Sequence, residues 1–222
     1  MGEQQFGIEH KACAQIAISI KEVYEEGIKE IGIVIGGGNI FRGVQAQKFG
    51  FERTPADHIG MLATAINGLV LQQSLTALGL KSHVMSALDC QLITERYNWA
   101  KAVEYLEKGI ILIFVGGTGS PYFTTDTAAA LRASEIQAEI LLKATKVDGV
   151  YSKDPKVNKE AVKYAKLSYA EVLTRKLNIM DAAAVALCRD NQIPICVFNL
   201  FEKGAMLKSV RKENGGSLIM GE

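Results

Sequence analysis

A chain of 222 residues, 48% hydrophobic and 22% charged, is long enough to bury a substantial core. Its 25 Lys and Arg nearly balance 24 Asp and Glu, so no net field draws it to DNA, RNA or an anionic membrane surface. No apolar run reaches the ~20 residues that span a bilayer. In chain order, residues 10–26 read as a helix with Ile16, Ile20 and Val23 on one stripe and Gly27 as its stop. Residues 31–35 read as a doubly buried, β-branched strand that empties into a glycine turn, Gly36 to Gly43. After a polar stretch to Pro55, Asp57 is expected to open a long amphipathic helix. Ile59, Leu62, Ile66 and Leu69 are spaced for one face of it, and Gly60, Ala63, Ala65 and Gly68 would let it lie close to a neighbour. A strand at 82–87 and a helix at 99–106 follow.

An uninterrupted apolar run, 110–115, then leads into Gly116-Gly117-Thr118-Gly119-Ser120-Pro121-Tyr122-Phe123-Thr124-Thr125-Asp126 and an Ala-rich helix reaching about residue 136. Buried strand, glycine loop and helix N-terminus in that order suit an anion, above all a phosphate, because backbone N–H groups and the positive end of a helix dipole converge there. Ordinary turn chemistry accounts for the same letters, with Thr125 or Asp126 as a simple helix cap.

Residues 139–143 read as another strand, and Asp148-Gly149 as the two-residue turn of a tight hairpin over 146–151. Residues 156–166 read as a solvated charged surface. An apolar helix at 180–189, a strand at 194–198 and a short strand at 217–220 close the chain. Strands alternating with helices indicate an α/β fold with a largely parallel sheet, organised as one domain over 1–222. Cys13, Cys90, Cys188 and Cys196 are widely scattered, which fits reduced thiols in the cytoplasm. His10, His58 and His83 form no metal-ligating set.

Neither glycine turn fits a standard nucleotide fingerprint. Gly36 and Gly38 match the first two glycines of G-x-G-x-x-G, but Phe41 stands at the third. Gly38 and Gly43 have a P-loop interval, but Val44 stands where lysine is needed. What remains is two glycine loops at strand C-terminal ends, able to hold two phosphorylated partners face to face, the geometry of phosphoryl transfer. Arg42 could bridge two phosphates with its planar fork, or be a plain surface arginine. Asp57 and Asp181 are each open to reading as a helix cap, and Asp154 before Pro155 as an ordinary turn opener.

The strings VIGGGNIFRG (34–43), DHIGMLATAINGL (57–69), GGTGSPYFTTDTAAALRASEI (116–136), LLKATKVDGVYSKDP (141–155) and IMDAAAVALCRDNQIPICVFN (179–199) resemble the bacterial UMP kinase (uridylate kinase) branch of the amino acid kinase family. The resemblance runs from about Phe6 onward, with the motifs in family order. It implies an αβα sandwich and transfer of the γ-phosphate of ATP to UMP, giving UDP and ADP in pyrimidine nucleotide biosynthesis. Matched by motif, it places Gly37, Asp57, Thr118, Gly119, Ser120, Pro121, Tyr122, Phe123, Thr124 and Thr125 around UMP, with Asp57 on the ribose. It places Gly38, Arg42, Thr145, Tyr151 and Asp154 against ATP. Arg42, Asp126 and Asp181 would lie at the moving phosphoryl group. It further implies Mg²⁺ entering with ATP, a homohexamer, activation by GTP and inhibition by UTP.

The family also opens with a strand ending in a Lys-x-Ser-Gly turn that holds ATP phosphates. Here residues 1–8 align with the loop after that strand, so the 222-residue form is expected to be N-terminally truncated relative to the family and to fold poorly or lose most activity. The alternative that follows is a catalytically impaired UMP-binding regulator. A kinase of the same family acting on a carboxylate or carbamate is disfavoured by the loop at 116–126 and the helix at 57–69.

Overall fold

The computed structural model describes residues 7–43, 49–155, 157–177, 179–213 and 215–221. Residues 1–6 and 44–48, covering the expected opening loop and part of the polar stretch, lie outside the described residues, as does Lys156. The chain divides into two compact units, Met1–Arg132 and Ala133–Glu222. It is mixed α/β, with mostly parallel strand pairs.

The first unit is built on the apolar run read above as a strand. β4 (Ile111–Val115) is buried at all five positions. It pairs in parallel on one side with β1 (Gly32–Val34) and on the other with β2 (Ser82–Ser86), which in turn pairs in parallel with β3 (Glu95–Arg96). β1 was expected to be doubly buried. Among the described residues it is the edge of this sheet, with Ile33 and Val34 only half-buried. A β-branched run looks alike in central and edge strands, which is why the letters misled.

α1 (His10–Glu25) buries Ala12, Ala17, Ile20 and Val23 and packs on α2 (Arg53–Ala77). α2 starts four residues before Asp57, because Pro55 is tolerated in a first turn whose N–H groups have no helical partner anyway. Its small residues do allow close approach. A Cβ at Gly68 would lie 2.4 Å from Val115 Cγ1, so the helix axis sits against the sheet as only glycine permits. α3 (Trp99–Glu107) is capped by the Asn98 side chain, which accepts from Lys101 N at 3.1 Å, and buries Ala102 and Leu106. α4 (Thr125–Glu135) follows the loop after β4.

In the second unit β5 (Leu141–Thr145) pairs in parallel with β9 (Ile195–Asn199), β9 antiparallel with β10 (Ser217–Met220), and β10 in parallel with β8 (Lys166–Ser168). β9 carries the core, with Ile195, Cys196, Val197 and Phe198 all buried. α5 (Tyr169–Thr174) begins with a reciprocal capping box between Ser168 and Glu171 and packs on α6 (Ala182–Asp190); α7 (Ala205–Val210) covers β9. The expected hairpin over 146–151 is not formed. β6 (Val150–Tyr151) instead pairs antiparallel with β7 (Lys163–Tyr164), inside the stretch read as plain solvated surface. Gly149 lacks the positive φ that the favoured Asp-Gly hairpin turn demands. It is small because a Cβ there would fall 2.4 Å from Ser217 Oγ.

Candidate functional site

The first unit holds a cavity of about 270 Å³ lined by both glycine turns. Gly37, Gly38, Arg42, Asp57, Thr118, Ser120, Phe123, Thr124 and Thr125 are brought together there, out of the residues singled out from sequence. Gly119, Pro121, Tyr122 and Asp126 belong to the same loop and helix start without lining it.

Each wall has a local cause. The second loop turns through left-handed backbone at Gly116 (φ 79°), Gly117 (60°), Gly119 (83°) and Tyr122 (72°). The last is unusual for an aromatic residue, and the structure holds it from several sides. Tyr122 N donates to Asp57 Oδ2 at 2.8 Å, Thr54 Oγ1 reaches its hydroxyl at 3.5 Å, and the Arg53 guanidinium lies 5.3 Å from the ring centroid. Thr118 Oγ1 accepts from Ser120 N and donates to Ser120 O, closing the tip. Thr124 is the cap of α4, since its hydroxyl accepts from Asp126 N at 3.1 Å and Thr127 N at 3.3 Å. Asp126 therefore sits in the first turn, where a carboxylate faces the positive end of the dipole.

Asp57 is not a cap. It lies in the second turn of α2, where Oδ2 also accepts from Arg53 Nε at 2.7 Å, while Oδ1 accepts from no described residue. The first turn is pressed onto α2. A Cβ at Gly37 would lie 2.5 Å from Gly60 O and 2.9 Å from Ala63 Cβ. Arg42 is exposed and donates from Nε to Gly38 O at 2.8 Å, which curls its side chain back over the turn.

The second unit places the other candidates. Thr145, at the end of β5, donates to Val147 O at 2.6 Å and accepts from Val147 N at 3.0 Å. Tyr151 on β6 donates to Asp148 Oδ1 at 2.6 Å, and Lys163 donates to Asp148 Oδ2 at 2.8 Å. These two bonds, Lys163 first, hold the Asp148 carboxyl below the usual range, and the same contact pushes the Tyr151 phenol up. Asp154 O accepts from Val157 N and Asn158 N in the turn after β6. Asp181 does cap its helix, accepting from Ala184 N at 2.8 Å. Among the described residues no group of three or more His, Cys, Asp or Glu is clustered to hold a metal ion.

Sequence reasoning did not pick out Phe41, Gly43, Met61 or Thr64 as cavity wall, nor Arg53 and Asn67 behind it. The available signal was spacing. Asp57, Gly60, Thr64 and Asn67 recur at helical intervals on the helix expected from the start.

The model of the amino acid kinase family matches residues 6–199. Over 200 residues the chain is 62% identical to a uridylate kinase of Protochlamydia amoebophila (strain UWE25), covering 90% of this chain and 79% of that protein. The crystal structure of UMP kinase from Bacillus anthracis superposes with a TM-score of 0.95 at 40% identity, covering 99% of this chain and 91% of that one. UMP kinase from Ureaplasma parvum superposes with a TM-score of 0.92 at 37% identity, covering 99% and 93%.

Proposed function

The chain belongs to the amino acid kinase family, and on that footing we propose that it transfers the γ-phosphoryl group of ATP to UMP, giving UDP and ADP. The observation that carries this reading is the first unit's cavity, where Asp57 and the loop 118–125 meet the first glycine turn. UMP takes the loop 118–125 and Gly37, and its ribose hydroxyls take Asp57 Oδ1, the oxygen the loop does not use. The resemblance assigns Gly38, Arg42, Thr145, Tyr151 and Asp154 to ATP. A single nucleotide-kinase domain over 1–222 belongs to the same reading.

The acceptor phosphate is largely dianionic at pH 7, its second pKa being about 6, so the nucleophile needs no general base. Catalysis reduces to alignment and stabilisation of charge on the moving group. Arg42 supplies a planar cation, and the first turn of α4 supplies dipole and hydroxyls. Asp126 and Asp181 organise the transfer. Mg²⁺ would enter with ATP and offset charge on its phosphates, asking the chain for only one or two carboxylates. A homohexamer in the cytoplasm, activated by GTP and inhibited by UTP, belongs to the same proposal. Among the described residues no helix is long and apolar enough to cross a membrane.

ADP release from Mg·ATP with UMP, CMP, AMP or carbamate as acceptor tests the reading. Whatever turnover occurs is expected to be confined to UMP, and turnover with carbamate but not UMP would overturn the reading. Asp57→Asn should lower kcat/KM for UMP roughly ten- to hundredfold, the worth of one charge-assisted bond.

A further inference from the structure

Asp57, Gly60, Thr64 and Asn67 fall on one face of α2, and both glycine loops are fastened to that face. Asp57 holds Tyr122 N, Gly60 O abuts Gly37, Thr64 Oγ1 accepts from Gly116 N at 2.7 Å, and Asn67 Nδ2 donates to Gly36 O at 2.7 Å. Thr64 and Asn67 are 5% and 8% exposed, and the resemblance assigns neither to a nucleotide.

Both side chains are spent on the loops. The Thr64 hydroxyl proton goes to Met61 O at 2.6 Å in its own helix, which turns its lone pairs toward Gly116. Gly116 is buried and left-handed, so its N–H has no easy access to water. Asn67 exchanges amide bonds with Asn39, at 2.6 Å and 3.1 Å, and Asn39 Nδ2 continues to Gly7 O at 2.9 Å. Every amide hydrogen of that pair is committed.

We propose that Thr64 and Asn67 are positioning residues of the transfer. Thr64 sets the acceptor loop through Gly116, and Asn67 sets the first glycine turn through Gly36 and Asn39. Because the two anchors are three residues apart on one helix, about 4.5 Å along its axis, a rigid element rather than a loop fixes the relative placement of the two phosphate-holding turns. Alignment of that kind is what phosphoryl transfer depends on. This inference rests on the kinase reading.

The test compares Thr64→Val, which keeps the shape and loses the acceptor, with Thr64→Ser, which keeps the acceptor, and with Asn67→Leu. Thr64→Val should raise KM for UMP about tenfold and leave KM for ATP within about twofold, and Thr64→Ser should restore it. Asn67→Leu should act mainly on kcat, lowering it about tenfold or more. Equal kinetics for Val and Ser, or parallel loss in both KM values, would overturn the proposal. Should Thr64→Val not fold, Thr64→Ala removes the hydroxyl without adding bulk. Hydrogen exchange in peptides spanning 113–122 reads the anchor without any turnover, with faster exchange expected in Thr64→Val and protection kept in Thr64→Ser. If the wild-type chain does not phosphorylate UMP, the kinase reading fails while exchange still decides whether Thr64 holds the loop. Identical exchange in all three proteins would sink the positioning role.

Discussion

A single methyl group added at Gly37 puts the geometry of the first turn to a quantitative test. In Gly37→Ala the new carbon would stand 2.5 Å from Gly60 O, 2.9 Å from Ala63 Cβ and 3.1 Å from Thr64 N. That is roughly half an ångström inside any tolerable approach, and two of the three obstacles are backbone atoms that no rotamer change can move. The turn must back away from α2. Overpacking of this kind costs about 1–3 kcal/mol, and about 2–4 °C of melting temperature per kcal/mol is usual at this chain length. A fall of roughly 2–12 °C is therefore expected by calorimetry or circular dichroism. Displacing a phosphate-holding turn by half an ångström should also lower kcat/KM for UMP about tenfold, since about 1 Å of misplacement can cost a hundredfold. Gly60→Ala is the control. A methyl there meets nothing within 4 Å, and removing a mid-helix glycine gains about 0.5–1 kcal/mol, so its melting temperature should rise. Gly37→Ala with wild-type melting and kcat/KM within twofold of wild type would refute the close-approach argument.

Acid titration probes β3. The Glu95 carboxyl accepts from Lys101, Tyr105 and His83, and these bonds, Lys101 foremost, hold it below its usual value against the opposing effect of burial. Its contribution is complete above the unfolded carboxylate value of about 4.3 and is lost as pH falls through the lower folded value. Wild type should therefore lose stability more steeply than Glu95→Gln below about pH 4.5, and identical slopes in denaturant melts would contradict it. Burial pushes the Cys188 thiol up to about 11 and also raises Cys196. Iodoacetamide at about pH 8 should leave both unmodified in the native chain and reach them only after denaturation, as peptide mass spectrometry would show.

The part of the site legible from sequence was the part that punctuates the chain. An unbroken apolar run at 110–115 followed by glycines read as a buried strand meeting a turn, and β4, its loop and α4 fell where expected. The misreadings share a cause. Asp57 suggested a helix start because an aspartate ahead of apolar spacing usually caps, yet its carboxylate serves Arg53 and Tyr122. Asp148-Gly149 suggested a hairpin because that pair usually turns a chain, yet the glycine makes room for Ser217, whose hydroxyl accepts from Val150 N. In both cases a partner about 65 residues away decides the role, and local letters carry no trace of it. Thr64 and Asn67 escaped for the same reason, reading as unremarkable polar residues on a mostly apolar helix.

The strand order has a consequence for how the chain is born. Among the described residues β1 pairs only with β4, and Gly32 meets Leu112, 80 residues later. At about 5–20 residues per second of synthesis, β1 waits roughly 4–16 s for its partner. For much of that time α2 is already made, and residues 59–77 contain no Asp, Glu, Lys or Arg to keep it apart from other nascent chains. The acceptor pocket cannot exist before residue 125 has left the ribosome. Until then the uncharged face of α2 has no completed sheet to bury it.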